Sequence, residues 1–219
     1  MHHIHIADDH PLFRSALLDV INQYFSLATI SESSDLNSTL QVLSNDADID
    51  LLLLDLQMPG SQDLYGLIAI REKHPTVPVV VVSASDDKDT INRAMGHGAS
   101  GYIPKSLSAG ALHEAIQAVV DGEQWIPVFM ENQLTAITHE EKSLAAKIST
   151  LTPQQYRVLC YVREGWLNKQ IGFEIGITEA TVKAHITAIF RKLGVTNRTQ
   201  AVIELSRMSL HEPSAFNAD

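Results

Sequence analysis

IDLLLLDLQMPG, from Ile49 to Gly60, is the stretch of the sequence that decides the fold. Four consecutive leucines followed at once by Asp55 are typical of a short strand that is buried on both faces. Met58-Pro59-Gly60 then predicts a sharp turn. Because ligands bind at the carboxyl ends of the strands in open α/β sheets, Asp55 is a candidate for chemistry. From this local pattern alone, the more common role of such an aspartate is to cap a helix.

The first part of the chain alternates between strand-like and helix-like segments. The predicted strands are residues 2–7, 27–31, 51–54, 78–83 and 101–105. A helix follows each strand: Pro11, Asp35 and Ser108 are suited to begin helices, and Pro75 ends the one predicted over residues 62–74. This alternation indicates a parallel sheet with helices on both faces. Five such units fit a doubly wound, flavodoxin-like α/β sheet with strand order 2-1-3-4-5.

Polar side chains lie at the carboxyl ends of four of the predicted strands. They are Asp8, Asp9, Asp55, Ser83 and Lys105. In the order 2-1-3-4-5, the switch point lies between strands one and three, so the three carboxylates are expected to converge there. Each residue alone could be a helix cap or a surface group, but their placement at successive strand ends is a more specific signal than any single residue.

Three neighbouring carboxylates repel one another and need a cation if all are to stay ionised. Mg²⁺ suits them, since it is a hard ion that prefers a few carboxylates together with water and phosphate oxygens. A carboxylate can also accept a phosphoryl group as an aspartyl-phosphate. The ammonium group of Lys105 and the hydroxyl group of Ser83 would then help to neutralise the phosphoryl oxygens.

The charge of the chain is divided unevenly. The 219 residues carry a net charge of −10, but residues 1–125 carry −11 and residues 151–211 carry +4. We therefore predict an acidic domain followed by a small basic one. Cys160 is the only cysteine, which excludes an intrachain disulfide and a thiolate metal cluster. Because no stretch has the pattern of a secretory signal or a membrane span, we expect a cytoplasmic protein without a membrane partner.

Helix signals dominate the second part of the chain. Thr152-Pro153, followed by Gln155, is a strong helix start, and Gly176 and Gly194 are placed to end helices. Residues 151–211 are therefore predicted to form an all-α domain of four helices that contains a helix-turn-helix. Its second helix is TEATVKAHITAIFRKLG, and this motif places that helix in the DNA major groove. A helical bundle with a solvated basic face is the alternative interpretation.

Candidates for DNA contact lie on this helix and just after it. Lys183, Ala184 and Thr187 fall largely away from the apolar face and could reach base edges. The basic residues that follow them are suited to phosphate groups. The complete predicted DNA-binding set is Thr181, Lys183, Ala184, His185, Thr187, Arg191, Lys192 and Arg198.

The first domain resembles a known family. IADDHP, LLLLDLQMPG, VVVVSAS and GYIPKS, in this order and spacing, are similar to the receiver domain of two-component response regulators over residues 1–122. The resemblance implies that Asp55 is the phosphoacceptor, that Asp9 binds Mg²⁺ directly, and that Asp8 helps through water. It also implies that the backbone carbonyl group of Gln57 is a magnesium ligand.

The same resemblance implies a switch. Ser83 would bind the phosphoryl group and move toward it, and Lys105 would pair with it. Tyr102 occupies the family's aromatic switch position. Gln57 and Ser85 flank the acceptor and the switch serine, and they are expected to tune the lifetime of the phosphate.

The second domain resembles another family. LTPQQYRVL, NKQIGFEIGITEATVKAHITAIFRKLGV and NRTQAV are similar to the DNA-binding domain of LuxR-type regulators, including the NarL/FixJ group. Gln155 and Gly172 depart from the glutamate and alanine that are usual there. Glycine within a helix costs about 1 kcal/mol relative to alanine, so we expect Gly172 to loosen the helix that Asn168 starts and Gly176 ends. Residues 123–150 are then a linker with a helical stretch at 140–148, and residues 212–219 are a tail.

The combined interpretation is a phosphorylation-dependent DNA-binding transcription regulator of a two-component system, not an enzyme. Its expected partners are a sensor histidine kinase, double-stranded DNA and, after phosphorylation, a second copy of the chain. Val202 and Leu205 are candidates for the contact between two DNA-binding domains, or for the core of one.

Two other functions are compatible with part of this pattern. A magnesium-dependent phosphatase with an aspartyl-phosphate typically has a second aspartate two residues after the nucleophile, where this chain has Gln57. A regulator that ignores phosphate and responds to a partner or small ligand is the other, and the intact site around Asp55 argues against it. The His2-His3-His5 cluster is a weak metal candidate, because strand alternation splits it between two faces.

Overall fold

The computed structural model describes residues 2–45 and 48–206. The chain forms two compact units, residues 1–138 and residues 139–219. The predicted linker is divided between them, since residues 123–138 belong to the first unit and the rest to the second. The predicted tail, 212–219, and the last residues of the predicted DNA-binding domain lie outside the described residues.

The first unit contains the predicted five-stranded sheet. Its strands are β1 (His3–Ala7), β2 (Thr29–Ser33), β3 (Leu51–Asp55), β4 (Val79–Ser83) and β5 (Gly101–Pro104). All neighbouring pairs are parallel, and the order β2-β1-β3-β4-β5 confirms the prediction. The register pairs Ala7 with Leu54, Asp55 with Val82, and Ser83 with Pro104, which aligns the carboxyl ends of β1, β3, β4 and β5.

Five helices accompany the sheet. They are α1 (Pro11–Tyr24), α2 (Leu36–Asn45), α3 (Tyr65–Lys73), α4 (Lys88–Gly96) and α5 (Ala109–Val120). On one face of the sheet, alternate residues such as Ile6, Leu53 and Val82 pack with α1 and α5 into one apolar core. Leu52 and Val81 alternate with these residues and are fully buried on the other face, since successive strand side chains point to opposite sides.

Two predicted boundaries differ from the structure by two residues or more. The sequence predicts the second strand at residues 27–31, whereas β2 begins two residues later, at Thr29. Four of its five residues are polar and four are exposed or half-buried, so apolar patterning does not mark the strand, and Leu27 stays exposed. The third helix begins at Tyr65 instead of residue 62, because Asp63 has a left-handed φ of 54° that a helix cannot include.

The second unit is all-helical. Its helices are α6 (His139–Ser149), α7 (Pro153–Arg163), α8 (Asn168–Ile175), α9 (Glu179–Leu193) and α10 (Arg198–Ser206). The predicted capping box at Thr152 and Gln155 is present, and Gly176 and Gly194 adopt left-handed conformations at the ends of α8 and α9. Helix α6, which coincides with the helical stretch predicted within the linker, packs on α9.

Gly172 has a packing reason to be a glycine. A Cβ atom at this position would lie 2.7 Å from the carbonyl oxygen of Ile177, in the turn between α8 and α9. The amide of Ile177 donates a hydrogen bond to the carbonyl oxygen of Gly172 at 2.9 Å, which draws the turn against the helix. The glycine therefore permits a close helix–turn contact, in addition to its expected cost in helix propensity.

Within the part of the chain that the structure describes, every helix is too short or too polar to cross a lipid bilayer.

Candidate functional site

The carboxyl ends of β1, β3 and β5 bring one lysine and the predicted carboxylates together. Asp8 and Asp55 are each about 1% exposed, and Asp9 is half-buried. The ammonium nitrogen of Lys105 lies 2.8 Å from Asp8 Oδ2 and 3.0 Å from Asp55 Oδ2. The backbone of Lys105 is held as well, because its amide donates a 2.7 Å hydrogen bond to the carbonyl oxygen of Ser83.

His10 is a member of this site that the sequence interpretation did not select. Its Nδ1 atom lies 2.8 Å from Asp9 Oδ1, 3.5 Å from Asp8 Oδ1 and 3.7 Å from Asp55 Oδ2. The backbone amide of His10 also donates a 2.7 Å hydrogen bond to Asp8 Oδ1. The available signal was its position directly after the aspartate pair and before Pro11, which turns the chain into α1 at the mouth of the site.

The donor set fits a hard divalent cation. Asp8, Asp9, His10 and Asp55 each offer one ligand atom, and these atoms all lie within 4.8 Å of one another. The ammonium group of Lys105 contacts two of these three carboxylates, Asp8 and Asp55, so negative charge remains in excess in a mostly buried pocket. Carboxylate oxygens in this number are the ligands that Mg²⁺ prefers.

The environment of Asp55 opposes its ionisation. Burial raises the pKa of its carboxyl group above the usual value, whereas the charge of Lys105 and the amide of Gln57 act in the opposite direction. Gln57 donates its backbone N–H to Asp55 Oδ1 at 3.2 Å. The negative charge of Asp55 is thus stabilised by a few directed contacts in a poorly solvated site.

The predicted switch residues lie together beside this pocket. Ser83 is buried at the end of β4, and its hydroxyl oxygen accepts a 3.2 Å hydrogen bond from the amide of Ser85. Tyr102 is fully buried, and its hydroxyl group donates to the carbonyl oxygen of Ser85 at 2.9 Å. Burial raises the pKa of Tyr102 to about 12, although hydrogen bonds with Ser83 and Ser85 oppose this rise.

The predicted DNA-binding residues on α9 are mostly exposed. Those with exposed side chains are Thr181, Lys183, Ala184, Thr187 and Arg191, and His185 is half-buried. Lys183 is 64% exposed, and its Nζ lies 2.8 Å from Glu179 Oε1, one helical turn earlier. The exposed residues repeat at intervals of three or four positions and therefore form one solvent-facing side of α9.

Lys192 and Arg198 have their cationic groups bound inside the second unit. Lys192 Nζ donates to the carbonyl oxygen of Thr150 at 2.6 Å and to Gln155 Oε1 at 2.7 Å. Arg198 donates to the carbonyl oxygens of Val162 and Trp166 at 3.1 and 2.6 Å, at the end of α7. These contacts tie α9 and α10 to α7, so both residues have structural partners that compete with phosphate contact.

The N-terminal histidines form hydrogen bonds with serine side chains. His3 Nε2 and His5 Nδ1 lie 2.8 and 2.7 Å from the hydroxyl oxygen of Ser31, and His5 Nε2 lies 2.9 Å from that of Ser33. His3 and His5 share one face of β1, as the period of a strand requires. Their ring nitrogens are thus engaged in a network that joins β1 to β2.

Two family models match the chain. Residues 4–117 match the response regulator receiver domain, and residues 149–205 match the luxR family of bacterial regulatory proteins. The first match alone covers more than half of the sequence and contains every residue of the carboxylate pocket. The chain belongs to the response regulators. It combines a receiver domain with a LuxR-type DNA-binding domain, as the sequence motifs predict, and is a transcription regulator of a two-component system.

Curated relatives cover nearly the whole response regulator. This chain is 40% identical over 208 residues to the glycerol metabolism activator of Pseudomonas putida, and the match covers 93% of this chain and 94% of that protein. It is 34% identical over 201 residues to the nitrate/nitrite response regulator protein NarP of Escherichia coli K12, covering 90% and 91%. These relatives confirm the predicted place in the NarL/FixJ group.

A solved structure shares the fold. RcsB from Salmonella enterica serovar Typhimurium, bound to a promoter in the presence of a beryllofluoride phosphomimetic, is 22% identical with a TM-score of 0.55. The match covers 94% of this response regulator and 98% of that chain.

Replacing Asp55 with asparagine is expected to stabilise the protein at neutral pH when no divalent cation is added. Because burial raises the pKa of Asp55, its protonated form stabilises the fold at low pH, and this contribution is lost as the pH rises through the raised pKa. Asparagine is uncharged at every pH. The melting temperature of Asp55→Asn at pH 7 should therefore exceed that of the parent by a few degrees, roughly, and the difference should shrink on acidification.

The control for this comparison is Asp19→Asn, which changes the same charge on the exposed side of α1. Thermal unfolding in chelator-containing buffer, followed by circular dichroism, measures both variants. A difference that grows toward low pH would contradict the prediction.

Proposed function

We propose that Asp55 is phosphorylated by a sensor histidine kinase, and that this modification controls DNA binding by the second domain. The observation that carries the proposal is the position of Lys105 Nζ, at 2.8 and 3.0 Å from two buried carboxylates at adjacent strand ends. A lysine in this position can stabilise the ionised form of Asp55 before the transfer and can neutralise a phosphoryl oxygen after it. The proposed receiver spans residues 1–122.

The proposed reaction is an in-line transfer. A carboxylate oxygen of Asp55 attacks phosphorus, and the bond between phosphorus and the imidazole nitrogen of the kinase breaks, so that the electron pair leaves with the imidazole. Asp55 must be ionised to attack, and Lys105 favours that form. Bound Mg²⁺ would supply neutralising charge for the phosphoryl oxygens, held by Asp8, Asp9, Asp55 and the backbone carbonyl group of Gln57.

Ser83 and Tyr102 are proposed to change position when Asp55 carries a phosphoryl group. The Ser83 hydroxyl group lies at the end of the strand beside β3 and can turn toward the new anion. That movement would break its hydrogen bond from the Ser85 amide. Because Tyr102 bonds to the carbonyl oxygen of the same Ser85, a change at Ser83 would be passed on to β5.

A phosphatase with the same nucleophile is the competing function. It needs a group that protonates the leaving alcohol, and an amide at Gln57 does not serve as such an acid. We therefore propose a phosphoacceptor without turnover of external substrates, that is, not an enzyme.

Phosphorylation of the chain should require Asp55. Incubation with acetyl phosphate and Mg²⁺ is expected to add one phosphoryl mass to the parent protein in an intact-mass spectrum, and none to Asp55→Asn. Asp19→Asn provides the matched control and should be labelled like the parent. Equal labelling of Asp55→Asn, or full labelling in excess chelator, would refute the assignment.

DNA binding is proposed for residues 151–211, with α9 as the recognition helix. The exposed side of α9 includes Lys183, Ala184 and Thr187, whose side chains could reach base edges. Thr181, His185 and Arg191 surround them and could contact phosphates. Lys192 and Arg198 remain proposed phosphate contacts only if they leave the structural partners described above.

Lys183→Ala should weaken specific DNA binding without unfolding the domain. We expect a loss of about 1–3 kcal/mol if Lys183 contacts a base, or a shallower salt dependence if it contacts phosphate. Lys142→Ala removes the same charge from the exposed surface of α6 and serves as control. Affinity titrations at several salt concentrations measure the effect, and an affinity equal to that of the control would remove Lys183 from the interface.

A phosphorylated homodimer is proposed as the DNA-binding form in the cytoplasm. The second domain is small and carries only a few cationic groups, so two copies would double the phosphate contacts and bind two half-sites. Leu205 is only 1% exposed, which makes it a core residue, whereas Val202 is half-buried and remains a candidate for the dimer contact.

Beryllofluoride should therefore raise both the mass and the DNA affinity of the protein. Analytical ultracentrifugation and DNA titration, each with and without beryllofluoride, measure the two effects, and Asp55→Asn controls for nonspecific action. If Asp55 is occupied while mass and affinity stay unchanged, a regulator that responds to a partner or small ligand replaces this model.

A further inference from the structure

The surface formed by α4 and β5 is already occupied by the chain itself. Residues 125–138, which we call the strap, follow α5 and pack on this surface within the first unit. The strap includes a short 3₁₀ helix at Val128–Met130. Met130 and Ile137 are among its buried apolar residues, at 1% and 9% exposure. The strap is therefore a docked segment, although its position between two domains predicts a free linker.

At β5, the strap continues the edge of the sheet. The amide of Tyr102 donates a 3.0 Å hydrogen bond to the carbonyl oxygen of Trp125, and the amide of Trp125 donates to Ser100 at 3.3 Å. The Trp125 carbonyl oxygen would lie 3.1 Å from a Cβ atom at Gly101, so the glycine allows this close approach. Trp125, the first residue of the strap, is thus hydrogen-bonded to the backbone of Tyr102, the proposed switch residue.

At α4, side chains hold the other end of the strap. Asn92 donates from Nδ2 to the hydroxyl oxygen of Thr135 at 2.8 Å and accepts from the Thr135 amide at 2.6 Å. Lys88 Nζ donates to Gln133 Oε1 at 2.8 Å. Ile137 packs directly against Gly96, where a Cβ atom would lie 2.4 Å from Ile137 Cγ2. Most of these contacts are exposed polar ones, so the strap is held by weak, separable interactions.

A continuous set of hydrogen bonds joins the strap to the phosphoacceptor site. Ser85 donates its amide to Ser83 and its hydroxyl group to Asp87 Oδ2, at 3.2 and 2.7 Å. Asp87 caps α4 by accepting from the amide of Thr90 at 3.0 Å. Tyr102 bonds to Ser85 as well. Ser85 therefore connects Ser83 to both elements that carry the strap.

We propose that the α4–β5 surface is a docking site for the chain's own strap, and that phosphorylation of Asp55 releases it. This inference rests on the proposed function, because Ser83 must move toward a phosphoryl group. When Ser83 leaves Ser85, the cap of α4 and the position of Tyr102 change together. The contacts of Asn92, Gly96 and Trp125 with the strap then weaken.

Release would lengthen the tether of the DNA-binding domain. The strap has 14 residues. A flexible chain of that length has a root-mean-square span of about 20 Å. Half-sites one helical turn apart are separated by about 34 Å, so two released straps in a dimer could together cover that distance. A docked strap is fixed on α4 and β5 and cannot move through this range.

Hydrogen exchange measured by mass spectrometry tests the release in the full-length protein. Beryllofluoride with Mg²⁺ should accelerate exchange in peptides covering residues 125–138 by about threefold to tenfold, the factor that the loss of one or two hydrogen bonds predicts. Asp55→Asn should not respond.

Two substitutions in α4 weaken its contacts with the strap without lowering the helix propensity of α4. Asn92→Ala removes both bonds to Thr135. Gly96→Ala places a methyl group against Ile137 while favouring the helix. Both should accelerate exchange in the strap without beryllofluoride, and both should raise the DNA affinity of the unphosphorylated protein. Asn22→Ala, at an exposed position on α1, is the matched control and should change neither.

The outcomes distinguish this inference from the proposed function. If beryllofluoride binds at Asp55 and the strap exchanges at its original rate, the release is refuted. If Asn92→Ala and Gly96→Ala free the strap without raising DNA affinity, its regulatory role is refuted. If Asp55 takes no phosphoryl group while the two variants still free the strap, the proposed function fails but the docking site stands.

Discussion

The placement of Lys105 between Asp8 and Asp55 is the constraint on which the receiver depends. Removing carboxylates from water costs several kcal/mol per ion, roughly, unless a partner compensates. Both carboxylates are about 1% exposed, and Lys105 lies within 3.0 Å of each. Because these groups come from the ends of β1, β3 and β5, the pocket exists only while the strands keep their register. A slip of one residue would turn each side chain to the other face of the sheet.

The same geometry links the pocket to distant parts of the receiver. β4 lies between β3 and β5 in the sheet. Ser83, at the end of β4, is therefore next to the strand that ends in Asp55, and its carbonyl oxygen accepts a hydrogen bond from the amide of Lys105 after β5. Ser85 extends this connection to the cap of α4 and to Tyr102. A charge added at Asp55 therefore acts on a short set of directed hydrogen bonds in a poorly solvated region, where such bonds are strong.

In the DNA-binding unit, the recognition helix is held by cations that serve the fold. Lys192 joins α9 to the turn before α7, and Arg198 joins α10 to the end of α7. Gln155 replaces the usual glutamate of the family, yet its amide oxygen accepts from both Thr152 and Lys192. A neutral side chain thus completes the capping box and the contact with α9.

The alternation of apolar strands and helices in the sequence determined the order of the strands and, with it, the convergence of Asp8, Asp9, Asp55 and Lys105. Capping residues determined the helix starts at Thr152 and Thr178. Periodicity and capping are local properties, which is why the sequence alone shows them. Only the tertiary structure decided the placement of residues whose partners lie far away in the sequence. His10 faces the carboxylates through the turn into α1, Lys192 and Arg198 have structural partners, and residues 125–138 lie on α4 and β5. Such contacts leave no periodic signal in the chain, since each partner is chosen by its position in space and not by its neighbours in sequence.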